Sequence, residues 1–114
     1  MTRLQWAVMD ANLDPAVGAE QKGTRPVLIV SNEEYNQTVR NITIIPLTST
    51  KRRLYPCEVF LAKGKAGQPL DSIIMAHQVR TISRQRLGKL LGYLDDAQFR
   101  SEVRASVKEH LDLE

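Results

Sequence analysis

Short apolar runs of strand length, separated by loops rich in glycine and proline, occupy most of this 114-residue chain. Runs that indicate strands lie at 5–12, 26–31, 42–47, 57–61, 72–75, 79–82 and 89–94, and 72–82 could form one bent strand. Long loops are expected at 13–24 and 48–56, and the polar segment 32–41 is expected to form a turn. This spacing predicts a small, mostly antiparallel, barrel-like sheet.

Only the end of the chain has the periodicity of a long helix. An apolar residue recurs there every four positions, at Phe99, Val103, Val107 and Leu111. Asp95 is expected to cap this helix, and Gln98 completes a capping-box pattern. A shorter helical turn is expected at 83–86. The fold class is therefore β+α, with one domain over residues 1–114 and a helix at its end.

Composition excludes several classes of protein. Apolar residues make up 42% of the chain and charged residues 25%, as in ordinary globular domains. No apolar run approaches the length of about 20 residues that crosses a membrane, and no signal peptide is evident. The single cysteine, Cys57, excludes an intrachain disulfide and fits the cytoplasm. With only His77 and His110 beside it, no metal site and no cofactor are expected.

Charge is concentrated in the middle of the chain. The formal net charge is −1 over residues 1–50, +7 over 51–89 and −3 over 90–114. The basic triplet Lys51, Arg52 and Arg53 opens the central segment. A patch of this kind favours a polyanion such as nucleic acid. A solvated loop beside a charged strand face would give the same count.

Two residues at strand ends are candidates for phosphate chemistry. Arg25 joins the first long loop to a buried strand, and its guanidinium can bind phosphate with two parallel hydrogen bonds. Thr48 ends the next strand, so an antiparallel pair would bring it beside Arg25. Alternatively, Arg25 forms a structural ion pair with Asp14 or Glu20, and the Thr48 hydroxyl completes a turn.

Four segments together resemble the MazF/PemK family of toxin endoribonucleases. The longest reads Asp14-Pro15-x-x-Gly18-x-Glu20-Gln21-x-Gly23-x-Arg25-Pro26. The others follow in the family's order: Ile44-Ile45-Pro46-Leu47-Thr48-Ser49, Tyr55-Pro56-Cys57-Glu58-Val59, and Gln78-Val79-Arg80-Thr81-Ile82 followed by Arg86-Leu87. The resemblance spans about residues 12–111.

The resemblance implies an SH3-like barrel, as in CcdB and the MazF/PemK proteins, that works as a homodimer in the cytoplasm. It implies sequence-selective, metal-independent cleavage of single-stranded RNA, usually mRNA, by attack of the substrate's own 2′-OH. It also implies a cognate antitoxin whose flexible acidic tail covers the RNA groove. Arg25 matches the family's catalytic arginine, which suits charge stabilisation on phosphorus. Thr48 matches the catalytic threonine.

His77 is the third candidate catalytic residue. It stands where many members of the family carry an acid, which serves as the base in the Kid-like branch, and a histidine can accept a proton near neutral pH. Met75 replaces the arginine of that branch, and Trp6 replaces a glycine of the first strand. A residue of the barrel rim bonded to backbone is the alternative role for His77. The residues expected to contact RNA are Glu20, Gln21, Lys51, Arg52, Arg53, Gln78 and Arg80.

Two other functions remain open from the sequence. A gyrase poison of the CcdB type would share the fold and bind protein instead of RNA. A nucleic-acid-binding module without catalysis would need only the +7 segment. RNA cleavage by the purified protein in a chelator separates the enzyme from both.

Overall fold

The structure is a computed structural model that describes residues 2–21 and 23–113. Within them the chain forms seven strands: β1 (Ala7–Asn12), β2 (Thr24–Ile29), β3 (Asn41–Thr48), β4 (Glu58–Leu61), β5 (Ser72–Met75), β6 (Arg80–Ser83) and β7 (Leu87–Tyr93). Two α-helices, α1 (Glu33–Thr38) and α2 (Ala97–His110), and two 3-10 turns, Ala76–Gln78 and Arg84–Arg86, complete it. The predicted β+α class with a terminal helix is confirmed.

The strands form one antiparallel sheet that bends along β3. Its order is β4-β5-β3-β2-β1-β7, and β6 also pairs with β3. The first half of β3 pairs with β6, whereas its end pairs with β5. On its other edge β3 pairs with β2. Strand pairing leaves the sheet open between β4 and β7, so the barrel is partial.

A turn after β4 packs closely on β7 and curls the open sheet. A Cβ atom on Gly67 would lie 2.1 Å from the Leu91 carbonyl oxygen, and one on Gly92 would lie 2.5 Å from the Ala66 oxygen. Any side chain at either position would therefore collide with backbone. The buried amide of Gln68 shapes this turn, because it donates to the Ala62 carbonyl at 2.8 Å.

Two apolar clusters lie on opposite faces of the sheet. Residues of β2 alternate between them, since Leu28 belongs to one cluster while Val27 and Ile29 belong to the other. The cluster that contains Leu28 also includes Trp6 and Val103 of α2, so this face of the sheet is covered by the terminal helix. The continuous apolar run of β2 is thus buried on both faces, as its pattern predicted.

The expected turn at 32–41 is wrong, because α1 forms there. Asn32 caps this helix by accepting hydrogen bonds from the amides of Glu34 at 2.8 Å and Tyr35 at 3.3 Å. The Glu33 carboxylate ties α1 to the start of the chain, accepting from the Leu4 and Gln5 amides. A six-residue polar helix has no apolar stripe, so hydrophobic periodicity cannot reveal it.

Two further expectations need correction. The helix α2 is capped by Asp96 instead of Asp95: the Asp96 carboxylate accepts from the Gln98 and Phe99 amides at 2.9 and 3.1 Å. Asp95 lies outside the helix and pairs with Arg3 and Arg100. The segment 72–82 is not one bent strand, because the 3-10 turn Ala76–Gln78 separates β5 from β6.

Candidate active site

Arg25 and Thr48 lie at the same rim of the sheet. The antiparallel register pairs Val27 with Pro46, and two further residues along each strand place Arg25 opposite Thr48. The Arg25 guanidinium also donates to the Leu47 carbonyl, with Nη1 and O 3.5 Å apart. Both residues line one pocket of about 220 Å³. We call it the Arg25–Thr48 pocket; its other lining residues are Thr24, Pro26, Leu47, Ser49, Pro69, Leu70 and Ser72.

The Thr48 hydroxyl also takes part in a turn. It donates to the Thr50 hydroxyl at 3.1 Å and accepts from the Thr50 amide at 3.3 Å. Thr48 is nevertheless part of the pocket wall, so both roles weighed from the sequence are compatible with its position. A hydroxyl in this place can bond a phosphate oxygen by turning away from Thr50.

Another part of the wall of this pocket comes from the segment between β4 and β5. Pro69 and Leu70 follow the turn that Gly67 fixes against β7, and both line the Arg25–Thr48 pocket. Gly64, Gly67 and Pro69 are typical of a loop, but they do not reveal where that loop packs. A contact between residues so far apart in sequence is visible only in the folded chain.

Hydrogen bonds hold the loop between β1 and β2 at its base and near its tip. At its base the Asp14 carboxylate accepts from the Gly23 amide at 2.9 Å, and Arg86 donates to the Asn12 carbonyl at 3.0 Å. Near its tip the Gln78 amide bonds the loop twice: it accepts from the Gln21 amide at 3.1 Å and donates to the Ala19 carbonyl at 3.3 Å.

A second, shallow pocket of about 460 Å³ lies beside this loop. It brings together four residues expected from the sequence, namely Glu20, His77, Gln78 and Arg80, with Val17, Ala19 and Val79. We call it the His77 pocket. His77 is therefore not among the residues that line the Arg25–Thr48 pocket. Inside the loop, the Glu20 carboxylate accepts from the Val17 amide at 2.6 Å.

A buried carboxylate connects the basic triplet to His77. The Glu58 side chain is 0% exposed. It accepts two hydrogen bonds of 2.8 Å from Arg52, one of 2.6 Å from the Tyr55 amide and one of 2.8 Å from Nε2 of His77. Burial alone would raise the pKa of Glu58, but these hydrogen bonds and the Arg52 charge outweigh it and lower the pKa to about 2. The carboxylate is thus ionised at neutral pH.

The three residues of the basic triplet face different ways. Arg52 points inward to Glu58 and stacks over the Tyr55 ring, with 4.0 Å between the guanidinium carbon and the ring centroid. Lys51 and Arg53 are exposed. The hydrogen bond to Glu58 raises the pKa of Arg52, so its charge serves the fold. Lys51 and Arg53 therefore keep their charges at the surface, whereas the Arg52 side chain is 22% exposed.

Two kinds of feature are absent from the described residues, 2–21 and 23–113. These residues contain no group of three or more His, Cys, Asp or Glu side chains placed to hold a metal ion. None of their helices combines the length and the apolar character that crossing a membrane requires.

Both the sequence and the fold of this chain have relatives among known proteins. The sequence matches the family described as "PemK-like, MazF-like toxin of type II toxin-antitoxin system" over residues 4–111. Endoribonuclease MazF9 of Mycobacterium tuberculosis is 33% identical over 111 residues, which cover 93% of each chain. The fold and this match over nearly the whole chain thus define the class, a small β-sheet toxin of a type II toxin–antitoxin system. The chain belongs to the PemK/MazF family of that class.

Solved structures show the same fold. The crystal structure of MazF from Deinococcus radiodurans superposes with a TM-score of 0.81 at 27% identity, covering 96% of both chains. A mycobacterial endoribonuclease in complex with its cognate antitoxin superposes with a TM-score of 0.76 at 25% identity, covering 99% of this chain and 98% of that one.

Proposed function

We propose that this protein is the toxin of a type II toxin–antitoxin system and an endoribonuclease that cleaves single-stranded RNA, with mRNA as its target. One observation carries the proposal: a guanidinium and a hydroxyl, from Arg25 and Thr48, line the same pocket at adjacent strand ends. Membership of the PemK/MazF family supports it, and so does the likeness to proteins named endoribonucleases.

RNA cleavage can use the substrate's own 2′-OH as the nucleophile, so the protein has to stabilise the charge that develops on the phosphate. In the proposed reaction the 2′-OH gives its proton to solvent water and its oxygen attacks the adjacent phosphorus. The bond to the 5′-oxygen breaks, which leaves a cyclic phosphate, and that oxygen takes a proton back from water to become the 5′-OH. Arg25 would stabilise the negative charge that develops on phosphorus, and Thr48 would hydrogen-bond a phosphate oxygen. The need for a 2′-OH makes the reaction specific for RNA.

The RNA path is proposed to run across both pockets. Loop residues 17, 19 and 20 line the His77 pocket and residues 24–26 of β2 line the Arg25–Thr48 pocket, so one strand of RNA could contact both. The exposed charges of Lys51 and Arg53 would bind phosphates, whereas Arg52 would shape its own segment from within. Glu20, Gln21, Gln78 and Arg80 would contact bases or sugars at the His77 pocket.

We further propose a cognate antitoxin, a homodimer and a cytoplasmic location. The neighbour in complex with its cognate antitoxin supports the first of these. An acidic antitoxin tail would complement the +7 segment and compete with RNA for it. The cytoplasm is where mRNA is met, and a lone cysteine fits its reducing conditions.

The decisive experiment is cleavage of single-stranded RNA by purified protein in excess EDTA. We expect cleavage by the wild type, a loss of about 10²–10³ or more in rate for Arg25→Ala, and a loss of most activity for Thr48→Ala. Arg40→Ala, an exposed arginine on the β2–β3 connection, is the matched control and should cleave normally.

Three results would contradict this proposal. A wild type that binds RNA without cutting it would indicate a non-catalytic module. Activity that disappears in EDTA and returns with Mg²⁺ would overturn the metal-independent mechanism. Wild-type rates for Arg25→Ala would remove that residue from the site.

A further inference from the structure

The Glu58–His77 contact determines where the proton on the His77 ring lies. Glu58 is ionised and accepts only, since its hydrogen bonds hold its pKa at about 2. An oxygen of this carboxylate lies 2.8 Å from Nε2 of His77. Nε2 must therefore carry the hydrogen, and in the neutral ring Nδ1 has a free lone pair.

Nδ1 is the ring nitrogen that remains available to a ligand. In the part of the chain that the structure describes, Nδ1 of His77 makes no hydrogen bond, and Arg84 Nε is the one buried side-chain nitrogen or oxygen without a partner. Nδ1 is thus reached by solvent, and the His77 side chain is 26% exposed. His77 also lines the pocket beside the β1–β2 loop.

The same carboxylate also fixes the segment that follows Thr48. The Glu58 carboxylate accepts hydrogen bonds from both terminal nitrogens of Arg52 and from the Tyr55 amide. Residues 52–55 are therefore bonded to the same carboxylate that orients His77. The 3-10 turn that carries His77 also carries Gln78, which bonds the β1–β2 loop twice. Glu58 is therefore linked to the segment that follows Thr48 and, through His77, to the turn beside the β1–β2 loop, while its own side chain stays buried.

We propose that Glu58 is a positioning residue of the RNA site: it holds His77 as the Nε2–H tautomer and directs Nδ1 to RNA as a hydrogen-bond acceptor. The tautomer assignment rests on the 2.8 Å contact between Glu58 and Nε2 of His77 and on the ionised state of that carboxylate. The part that concerns RNA rests on the proposed function.

The tautomer can be measured without any RNA. Long-range proton–nitrogen correlation spectra of the wild type near neutral pH should show a protonated Nε2 and an unprotonated Nδ1 for neutral His77. His110, whose ring centroid lies 6.4 Å away, is an internal control and should show averaged shifts. A protonated Nδ1 on His77, or averaged nitrogen shifts like those of His110, would overturn the proposal. This measurement needs only the wild type, so it does not depend on the folding of any Glu58 variant.

Two variants of His77 distinguish its nitrogens. His77→Gln places an amide near Nε2 and keeps the link to Glu58, but it removes the group at Nδ1. His77→Asn places an amide near Nδ1 and loses that link. We expect His77→Gln to remain folded and to lower kcat/KM for RNA cleavage by roughly tenfold, the effect of one lost hydrogen bond. Unchanged kcat/KM in His77→Gln would overturn the RNA-facing role of Nδ1.

A double-mutant cycle tests whether Glu58 acts through His77. Glu58→Gln should also lower kcat/KM and convert His77 to a mixture of tautomers. Combined with His77→Gln, it should cost little more than either change alone, because both remove the same contact with RNA. Full additivity would show that Glu58 acts elsewhere. If the wild type cleaved no RNA, the proposed function would fail while the tautomer assignment could still be tested by the spectra.

Discussion

At the scale of single residues, Glu58 combines a fully buried side chain with a large shift in pKa. Its pKa falls from 4.5 to about 2 on folding. A group whose pKa falls on folding stabilises the folded state above its unfolded pKa, and this stabilisation is lost as pH falls towards its folded pKa. The shift corresponds to roughly 3 kcal/mol, present at neutral pH and lost progressively below about pH 5.

We expect Glu58→Gln to unfold more easily than the wild type at neutral pH, by about 2–3 kcal/mol, because Arg52 loses its charged partner. The difference should shrink from pH 5 to pH 2, where the wild type loses the same stabilisation. Denaturant unfolding at several pH values measures both effects. Glu102→Gln, an exposed carboxylate on α2, is the control and should follow the wild type.

This prediction would be wrong if the free energies of unfolding of Glu58→Gln and the wild type differed by a constant amount between pH 5 and pH 2. Some acid sensitivity should remain in the variant, because the folded protein also lowers the pKa of Glu33 and Asp96. The comparison between variant and wild type isolates Glu58 from these two groups.

The positions of Arg25 and Thr48 could be predicted from the sequence, whereas the role of Glu58 could not. Arg25 and Thr48 could be brought together from the sequence because they end neighbouring strands, and antiparallel pairing fixes their register. Glu58 appeared in a matched motif but received no role. Its partners come from positions 52, 55 and 77, and no strand pattern reveals that these positions meet around one buried carboxylate.

At the scale of elements, the segment between β3 and β4 contains three basic residues with two different roles. Arg52 pairs with the buried Glu58, and Lys51 and Arg53 are exposed. We expect Lys51→Ala with Arg53→Ala to weaken RNA binding and to lower the slope of log K against log salt by about 0.7 for each lost phosphate contact. Binding titrations over a range of salt concentrations measure the slope. These variants should stay as stable as the wild type, because both side chains are exposed.

Arg52→Ala is the matched comparison for this element. It should lower the stability of the protein, because a buried carboxylate loses its charged partner. An unchanged salt slope in the double variant would show that Lys51 and Arg53 point away from RNA.

Elements with a clear apolar pattern were predictable, and polar ones were not. The strands and α2 follow from periodicity, although Leu111 at the end of the apolar stripe is 50% exposed. The helix α1 is stabilised by its cap and by Glu33 contacts to a distant segment, which leave no periodic signal. The cap of α2 fell one residue later because two adjacent aspartates fit the same rule.

At the scale of the whole molecule, the proposed homodimer predicts the mass of the protein in solution. We expect sedimentation at micromolar concentration to give about twice the chain mass of 12.9 kDa. Exposed apolar side chains support this: Leu54 and Phe60 line one groove, and Leu90 is 40% exposed on β7. Leu87 and Leu91, the neighbours of Leu90 on β7, pack against the two apolar clusters of their own chain. A monomeric mass would contradict the dimer.

The close approach of Gly67 and Gly92 has a consequence for genetics. A side chain at either position would collide with backbone and push the turn after β4 off β7. That turn leads into Pro69 and Leu70, which form a wall of the Arg25–Thr48 pocket. In a selection for cells that survive expression of the toxin, we expect escape mutations at these two glycines as well as at Arg25 and Thr48. Sequencing the survivors tests this, and survivors with intact protein levels but no change at either glycine would argue against it.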